Sequence, residues 1–169
     1  WVYTGTCFRL SHRCRKGRFQ NKLRALITER SYVATRGGIE ALRQQLYYEA
    51  RARGLAQAQR VLVIADGAVW IWNLVEDRFQ DAVQRLDLWH ANSYLWAVAN
   101  ALHGNGSKEA RQWVKPLLKQ IRNDQVAQVI TGLEELQPRL AESAAKVAQD
   151  TIDYYQKNQK RMKYKEGRN

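Results

Sequence analysis

The order of apolar and polar residues predicts two kinds of element in the first third of the chain. Trp1 to Leu10 and Phe19 to Ala34 partly alternate apolar and polar side chains, which is typical of strands, and a basic loop at residues 11–17 separates them. These segments predict an antiparallel hairpin or meander. Thr35 to Gly54 carries apolar residues at helical spacing, and Gly54 is the expected C-cap.

The centre of the chain predicts a strand, a helix and a second strand. Val61 to Ala65 is a continuous, largely β-branched apolar run, as expected for a strand buried on both faces of a sheet. Ala68 to Phe79 has helical spacing, and Ala82 to Leu88 is predicted as the second strand. The intervening helix forms a right-handed crossover, so the two strands are expected to be parallel.

Polar side chains follow both of these strands. Asp66 lies in the predicted strand-to-helix turn, and Asp87 and His90 lie at the end of the second strand. Ends of neighbouring parallel strands are about 5 Å apart, so the three side chains are expected at one edge of the sheet, with Asp66 and His90 within about 10 Å. The alternatives to a functional site are an ordinary turn at Asp66 and a structural histidine, packed and hydrogen-bonded, at His90.

The pattern after His90 is helical throughout. No strand pattern occurs in the sequence after Leu88. A Gly-Asn-Gly segment separates the first two predicted helices. Pro116 is expected to kink the second helix or mark a boundary, and Asn123 or Asp124 is the expected N-cap of the third. The predicted helices are Ala91 to His103, Lys108 to Arg122, Asp124 to Leu136 and a fourth from Pro138 to Tyr155 that could reach Tyr164.

The charge distribution points to a polyanionic partner. The formal net charge is +12, with 13 Lys and Arg against three acids before Val61 and six against one after Tyr155, whereas the middle has nine against 12. Basic ends around a slightly acidic centre fit a nuclease core flanked by surfaces that bind DNA phosphates, although basic residues also simply solvate a surface. The candidate DNA-binding residues are Arg13, Arg15, Lys16, Arg18, Lys157, Lys160 and Arg161.

Cysteine content and the absence of a targeting segment predict a reduced, cytoplasmic protein without a membrane span. Cys7 and Cys14 are too few for a disulfide framework. Together with His12 they could be read as a zinc site, but three ligands at irregular spacing lack a fourth. Met162 is the only methionine, so a chain that begins at Trp1 is interpreted as a fragment or a trimmed form.

Two blocks in the centre resemble a known family. IADGAVWIWN, followed by LDLWHANSYLW, resembles the DDE transposases of bacterial insertion sequences, nearest to the Kra-type group and more distantly to the Mutator-like enzymes. The match rests on an Asp-Gly-Ala turn, a Trp-x-Trp helix and a D-x-x-H block at matching spacing. By this resemblance Asp66 is the second of three metal-binding carboxylates, and Asp87 and His90 form the D-x-x-H block.

The resemblance implies a fold and a chemistry. The fold is α/β (α+β), a ribonuclease H-like core with an all-helical insertion after the last core strand; periodicity alone gives only a mixed α/β domain. The implied activity is cleavage and joining of double-stranded transposon-end DNA with Mg²⁺ or Mn²⁺ ions, which activate the nucleophile and stabilise the leaving oxygen. It places the protein at the nucleoid and leaves a homo-oligomer open. The expected domains are residues 1–90 (partial core), 91–155 (insertion) and 156–169 (basic C-terminal end).

The chain also departs from the family pattern. Family members carry a first Asp on an early strand and a final Glu in a Gly-Ser-Gly-Ala-Val-Glu-like block, whereas here no Asp precedes Asp66 and the chain stops after Glu166-Gly167-Arg168-Asn169. With one of three expected carboxylates, this chain alone is expected to be inactive. The alternative function is a catalytically inactive, basic DNA-binding remnant or domesticated domain. A separate helical bundle is the alternative to an insertion.

Four tryptophans lie close to the predicted site in sequence. Aromatic side chains of this kind usually fill a core, and stacking on a flipped base or an unpaired strand is the alternative. The four are Trp70, Trp72, Trp89 and Trp96.

Overall fold

The computed structural model describes residues 2–16 and 21–165, with side chains for residues 2–10, 27 and 29–165. The described residues form a mixed α/β structure with two two-stranded sheets and a majority of helix, which confirms the coarse fold class predicted from the sequence. It divides into two compact units: Trp1–Val61 with Trp72–Ala82, and Leu62–Ile71 with Val83–Asn169.

The first unit begins with a long antiparallel hairpin. Strand β1 (Tyr3–Lys16) pairs with strand β2 (Asn21–Thr35), so the predicted hairpin is confirmed. The predicted loop is wrong for residues 11–16, where the strand continues until Lys16 pairs with Asn21. Pairing satisfies backbone donors and acceptors whatever the charge of the side chains, which is why a basic sequence stays in the strand. Gly17 lies outside the described residues.

Helix α1 (Gly38–Ala52) packs against this hairpin. Leu42 is its most buried residue, and Gly54 has a φ of 82°, the left-handed conformation expected at the end of a helix. The Cys7 thiol points toward the Leu46 carbonyl oxygen at 3.9 Å, and burial raises its pKa, which disfavours the thiolate that zinc would need. Along extended β1, the backbones of Cys7 and Cys14 are separated by about 23 Å, too far to share one metal ion.

The second unit contains a parallel pair of strands. Strand β3 (Leu62–Ala65) pairs with β4 (Val83–Leu86), with Ala65 opposite Leu86, so the predicted parallel pairing is confirmed. Helix α2 (Val69–Arg78) follows β3, and Trp72, Leu74 and Val75 are buried in the first unit.

Two predictions for these strands are wrong. Leu62 and Ile64 are 47% and 55% exposed, so β3 is not buried on both faces; only β4 pairs with β3 in the described sheet. Strand β4 ends at Leu86, not Leu88, because the Asp87 carboxylate caps a helix that begins at Leu88. The apolar character of Leu88 therefore belongs to a helix.

Four α-helices, which pack against one another, complete the described part of the second unit. The predicted all-helical stretch is confirmed among the described residues after Leu86, and Pro116 lies inside one uninterrupted helix. None of the described helices has the length and apolar character that crossing a bilayer requires. The helices are α3 (Leu88–His103), α4 (Lys108–Arg122), α5 (Val126–Leu136) and α6 (Glu142–Asn158).

The predicted starts of the last two helices are wrong. Gln125 is the N-cap of α5. Asp124 has a φ of 62°, and its carboxylate accepts a hydrogen bond from the Tyr164 amide instead of capping the helix. Pro138 lies in a separate turn, Gln137–Arg139, and the extended Leu140 after it delays α6 to Glu142. A second turn, Gln159–Arg161, follows α6.

Candidate functional site

Asp66 sits where β3 ends, in the turn before α2, as predicted. One carboxylate oxygen, Oδ1, accepts a hydrogen bond from the Ala68 amide at 3.0 Å, which fixes the turn. The side chain is exposed, and among the described residues its second oxygen accepts no hydrogen bond and forms no ion pair. This oxygen is therefore oriented by the turn and remains accessible to a ligand.

The backbone around Asp66 is held by α6. The Tyr154 hydroxyl donates a 2.6 Å hydrogen bond to the Asp66 carbonyl oxygen. Gly67 has a φ of 96°, and a Cβ there would lie 2.9 Å from both Leu86 Cδ1 and the Tyr154 hydroxyl. Glycine is thus required by conformation and by space, because α6 approaches the turn this closely.

Asp87 occupies the equivalent position after β4. Its backbone amide donates to the Ala65 carbonyl oxygen at 2.7 Å, which continues the parallel ladder and places Asp66 and Asp87 on adjacent strand ends. Its carboxylate oxygens accept from the amides of Trp89 and His90 at 3.2 and 3.3 Å. Asp87 therefore caps α3 and fixes the helical turn that carries His90.

His90 is half-buried on the first turn of α3 and lies against two tyrosines. Its ring centroid is 5.8 Å from that of Tyr94 and 5.9 Å from that of Tyr154. Because Tyr154 also binds the Asp66 carbonyl, Asp66 and His90 both lie at the Tyr154 side of the strand ends. No described residue hydrogen bonds to either imidazole nitrogen, so the ring is positioned by packing alone.

The tyrosines form a stack that supports this edge. Tyr94 and Tyr154 are parallel within 8°, with centroids 3.9 Å apart, and the Tyr155 hydroxyl donates to the Ala91 carbonyl oxygen at 2.7 Å. Burial, followed by the neighbouring tyrosines and the carboxylates of Asp66 and Asp87, raises the pKa of Tyr154. Its hydroxyl thus stays protonated and acts as a donor at neutral pH.

Four polar side chains of the second unit have a buried atom without a hydrogen-bond partner among the described residues: Arg85, Asn92, Asn158 and Tyr164. Asn158 is 1% exposed and donates to the Tyr154 carbonyl oxygen, whereas its Oδ1 has no partner among the described residues. A Cβ on Gly67 would lie 3.2 Å from the Asn158 Nδ2.

Arg85 on β4 is 8% exposed, and its Nη1 has no hydrogen-bond partner among the described residues; the same holds for the Tyr164 hydroxyl. Burial and the Asp87 carboxylate raise the pKa of Tyr164, while Arg85 opposes this. Two of these groups therefore lie close to the site: Asn158 beside Gly67, and Tyr164 within electrostatic range of Asp87.

The sequence did not single out four residues at this edge, which lie on β4, α3 and α6. Tyr94, Tyr154, Asn158 and Arg85 are absent from the predicted site. Asn158 carried one readable signal, because it falls with Thr151 on the buried, otherwise mostly apolar face of α6. A buried amide at an apolar position indicates a polar contact.

The predicted basic residues have different surroundings. Lys157 and Lys160 are exposed, but Arg161 donates from Nε to Gln84 on β4 at 2.7 Å, so its guanidinium is partly committed to the fold. Strand β1 contains Arg13, Arg15 and Lys16, and the structure describes only the backbone of these three residues. Arg18 lies outside the described residues.

This edge offers hard oxygen ligands but does not complete a metal site. Within the described part of the chain, no three His, Cys, Asp or Glu side chains are grouped to hold an ion. The Asp66 carboxylate has an accessible oxygen, whereas both Asp87 oxygens accept backbone hydrogen bonds. Asp66 thus has the properties expected of a ligand for a hard divalent cation. A single carboxylate of this kind binds a divalent ion only weakly.

No family model, curated protein or solved structure matches the chain in comparisons with known proteins.

Proposed function

We propose that this chain belongs to a DDE-type transposase, whose active form cleaves and joins transposon-end DNA by metal-dependent phosphoryl transfer. The fold we propose is a ribonuclease H-like core with the helices after β4 as its insertion. One observation carries the proposal: β3 and β4 are parallel and adjacent, and they present Asp66 and the Asp87-x-x-His90 block at one edge. That is where an α/β sheet positions reactive groups.

Each residue has a distinct role in this proposal. Asp66 is a ligand for Mg²⁺ or Mn²⁺, because its free oxygen is exposed and its turn is fixed by Ala68 and Tyr154. Asp87 is a positioning residue that holds the first turn of α3. His90 orients a phosphate oxygen or a water. The metal ions, when bound, activate the nucleophile and stabilise the leaving oxygen.

The proposed chemistry needs more carboxylates than this edge supplies. Only Asp66 and Asp87 come to it among the described residues, so catalysis is proposed for a form in which further carboxylates join them. The 169-residue chain by itself is proposed to bind DNA and to hold a divalent ion weakly.

The metal role of Asp66 is tested with Mn²⁺, which broadens NMR signals of nearby nuclei. Titration of the 169-residue chain should broaden the amide signals of Gly67 and Ala68 first. Asp66→Asn should weaken that effect by more than about tenfold, because it removes a charged ligand.

Asp150→Asn is the matched control for this titration, since Asp150 is an exposed acid on α6. It should leave the broadening at Gly67 unchanged. Equal broadening in the wild type and Asp66→Asn would remove the metal role. In a catalytic form, Asp66→Asn should abolish strand cleavage and leave DNA binding largely intact.

The alternative is a non-catalytic DNA-binding protein derived from such an enzyme. Both Asp87 oxygens accept backbone hydrogen bonds, which leaves Asp66 as the accessible carboxylate described at this edge, and this observation favours the alternative. Both proposals share DNA as partner, and they differ in whether Mn²⁺ binds at Asp66. Retained DNA binding without any Mn²⁺ effect at Gly67 would favour the non-catalytic protein.

A further inference from the structure

Helix α4 carries a row of five basic side chains, here named the α4 stripe. Their spacing along the helix is three, four, four and three residues, so at 100° per residue they fall within an arc of about 80°. The row extends for about 21 Å along the helix axis. Its members are Lys108, Arg111, Lys115, Lys119 and Arg122.

The α4 stripe faces away from the protein interior. All five side chains are exposed, whereas Ala110, Val114 and Ile121 on another side of the helix are buried. None of the five forms an ion pair with a described residue. The acid of this helix, Glu109, lies about 80° or more outside the arc. The stripe is thus an uncompensated linear array of positive charge.

Helix energetics do not explain this arrangement. Lys119 and Arg122 are in the last turn, where cations interact favourably with the helix dipole, but Lys108 and Arg111 are at the start, where the dipole disfavours them. Neighbours along the stripe are three or four residues apart, so they also repel one another. Helix stability therefore accounts for the C-terminal end of the stripe but not for Lys108, Arg111 or the repulsion between neighbours, and an anionic partner would offset both.

We propose that the α4 stripe binds the phosphate backbone of duplex DNA. This proposal rests on the proposed function and identifies a surface that binds the DNA substrate. The number of basic residues in each region of the chain does not reveal this surface. Duplex DNA offers a negative charge about every 1.7 Å of axis, so the length of the stripe spans several phosphates. Exposed Lys and Arg without carboxylate partners can contact them without breaking an existing ion pair.

The position of the stripe connects it to the candidate site. Arg122, at its C-terminal end, lines a groove together with Leu88 and Trp89 from the first turn of α3. That turn also carries His90. The groove therefore brings the C-terminal end of the stripe next to the first turn of α3, although His90 itself does not line it.

A membrane surface is a poorer partner for this helix. Peripheral helices insert an apolar face between lipids, but the apolar face of α4 packs inside the second unit. The exposed side that remains is basic. Duplex DNA, which is bound through surface charge alone, fits this side better.

The test compares two double variants of the 169-residue chain. Lys115→Gln/Lys119→Gln removes the middle of the stripe, and Arg139→Gln/Lys146→Gln removes two exposed basic residues elsewhere in the same unit. Both lower the formal charge equally. Binding to a 30-base-pair duplex is measured by fluorescence anisotropy at several salt concentrations, with circular dichroism to verify folding.

The stripe variant should bind roughly tenfold more weakly, and its slope of log K against log salt should fall by about 1.8, or about 0.9 per lost phosphate contact. The control variant should keep the wild-type slope. Equal effects of both variants, or none from either, would overturn the proposal while leaving a DNA partner intact. Preference of the wild type for anionic vesicles or single-stranded RNA over duplex DNA would also overturn it. A wild type that binds no DNA at low salt would remove the proposed function as well.

Discussion

Gly67 is the residue on which the closest packing of the site depends. Its φ of 96° and its short distances to Leu86 and Tyr154 both disfavour a side chain. Gly67→Ala should lower the free energy of unfolding by about 2–4 kcal/mol, because it combines backbone strain with overpacking. Urea denaturation measures this change.

Gly106→Ala separates the two causes. Gly106 also has a positive φ, 70°, but a Cβ there would meet nothing within 4 Å. Its replacement should cost only about 1 kcal/mol. Equal losses for the two variants would show that contact with Tyr154 does not limit position 67.

Residue-level exposure was the least predictable property of the sequence. Trp72 is 4% exposed, as expected for a core aromatic, whereas Trp89 is 83% exposed. The expectation that these tryptophans fill a core is therefore confirmed for Trp72 and wrong for Trp89. The difference arises because Asp87 starts α3 three residues before the predicted helix and places Trp89 on an outward side of its first turn. The capping hydrogen bonds of Asp87 therefore determine the exposure of Trp89, which hydrophobicity alone did not predict.

At the scale of elements, Asp124 links two segments that are distant in sequence. Its Oδ1 accepts hydrogen bonds from the amides of Tyr164 and Lys165, and its own φ is 62°. Asp124→Gly removes these bonds but tolerates the backbone. It should speed hydrogen exchange of both amides and cost about 1–3 kcal/mol of unfolding free energy.

Asp124→Asn provides the matched comparison, since asparagine tolerates a positive φ and retains an acceptor oxygen. It should show intermediate exchange at Tyr164 and Lys165. Unchanged protection of those amides in Asp124→Gly would mean that other contacts hold the C-terminal segment. Mass spectrometry of exchanged peptides can resolve the three proteins.

Element types were predicted well, and element ends and groupings less well. The apolar runs located the parallel strands, although Leu62 and Ile64 are exposed, and helical periodicity located the helices after them, because their apolar faces are buried. It missed the α4 stripe, since five of the nine basic residues between Val61 and Tyr155 lie on one helix and the count over that region averages them with its acids. The contribution of α6 to the site was also unpredictable, because it depends on tertiary packing.

At the scale of the whole molecule, buried tyrosines make stability depend on alkaline pH. Burial is the first cause that raises the pKa of Tyr154, Tyr155 and Tyr164. The native state therefore keeps protons that the unfolded chain releases near pH 10, so stability is fully present below that pH and falls above it. Urea denaturation between pH 7 and 11 should show this decline.

Tyr155→Phe tests the origin of the decline. The variant loses the hydrogen bond to Ala91, so its stability at pH 7 should be lower by about 1 kcal/mol, but its fall above pH 10 should be shallower. Tyr48→Phe, at an exposed position, should follow the wild-type curve. A Tyr155→Phe curve parallel to that of the wild type would contradict the assignment.

The hydrogen bond from Tyr154 to Asp66 joins residues separated by 88 positions. Such a contact forms only after a long loop has closed, and the entropy of closure is lost before the contact contributes stability. Strands β3 and β4 and the start of α3 can assemble from local sequence, but the Asp66 turn acquires its support only when α6 docks. We therefore expect Asp66 to be among the last groups to be fully ordered during folding. In a nascent chain whose synthesis has not passed Tyr154, the local hydrogen bond from Ala68 would be the one described contact that holds this carboxylate.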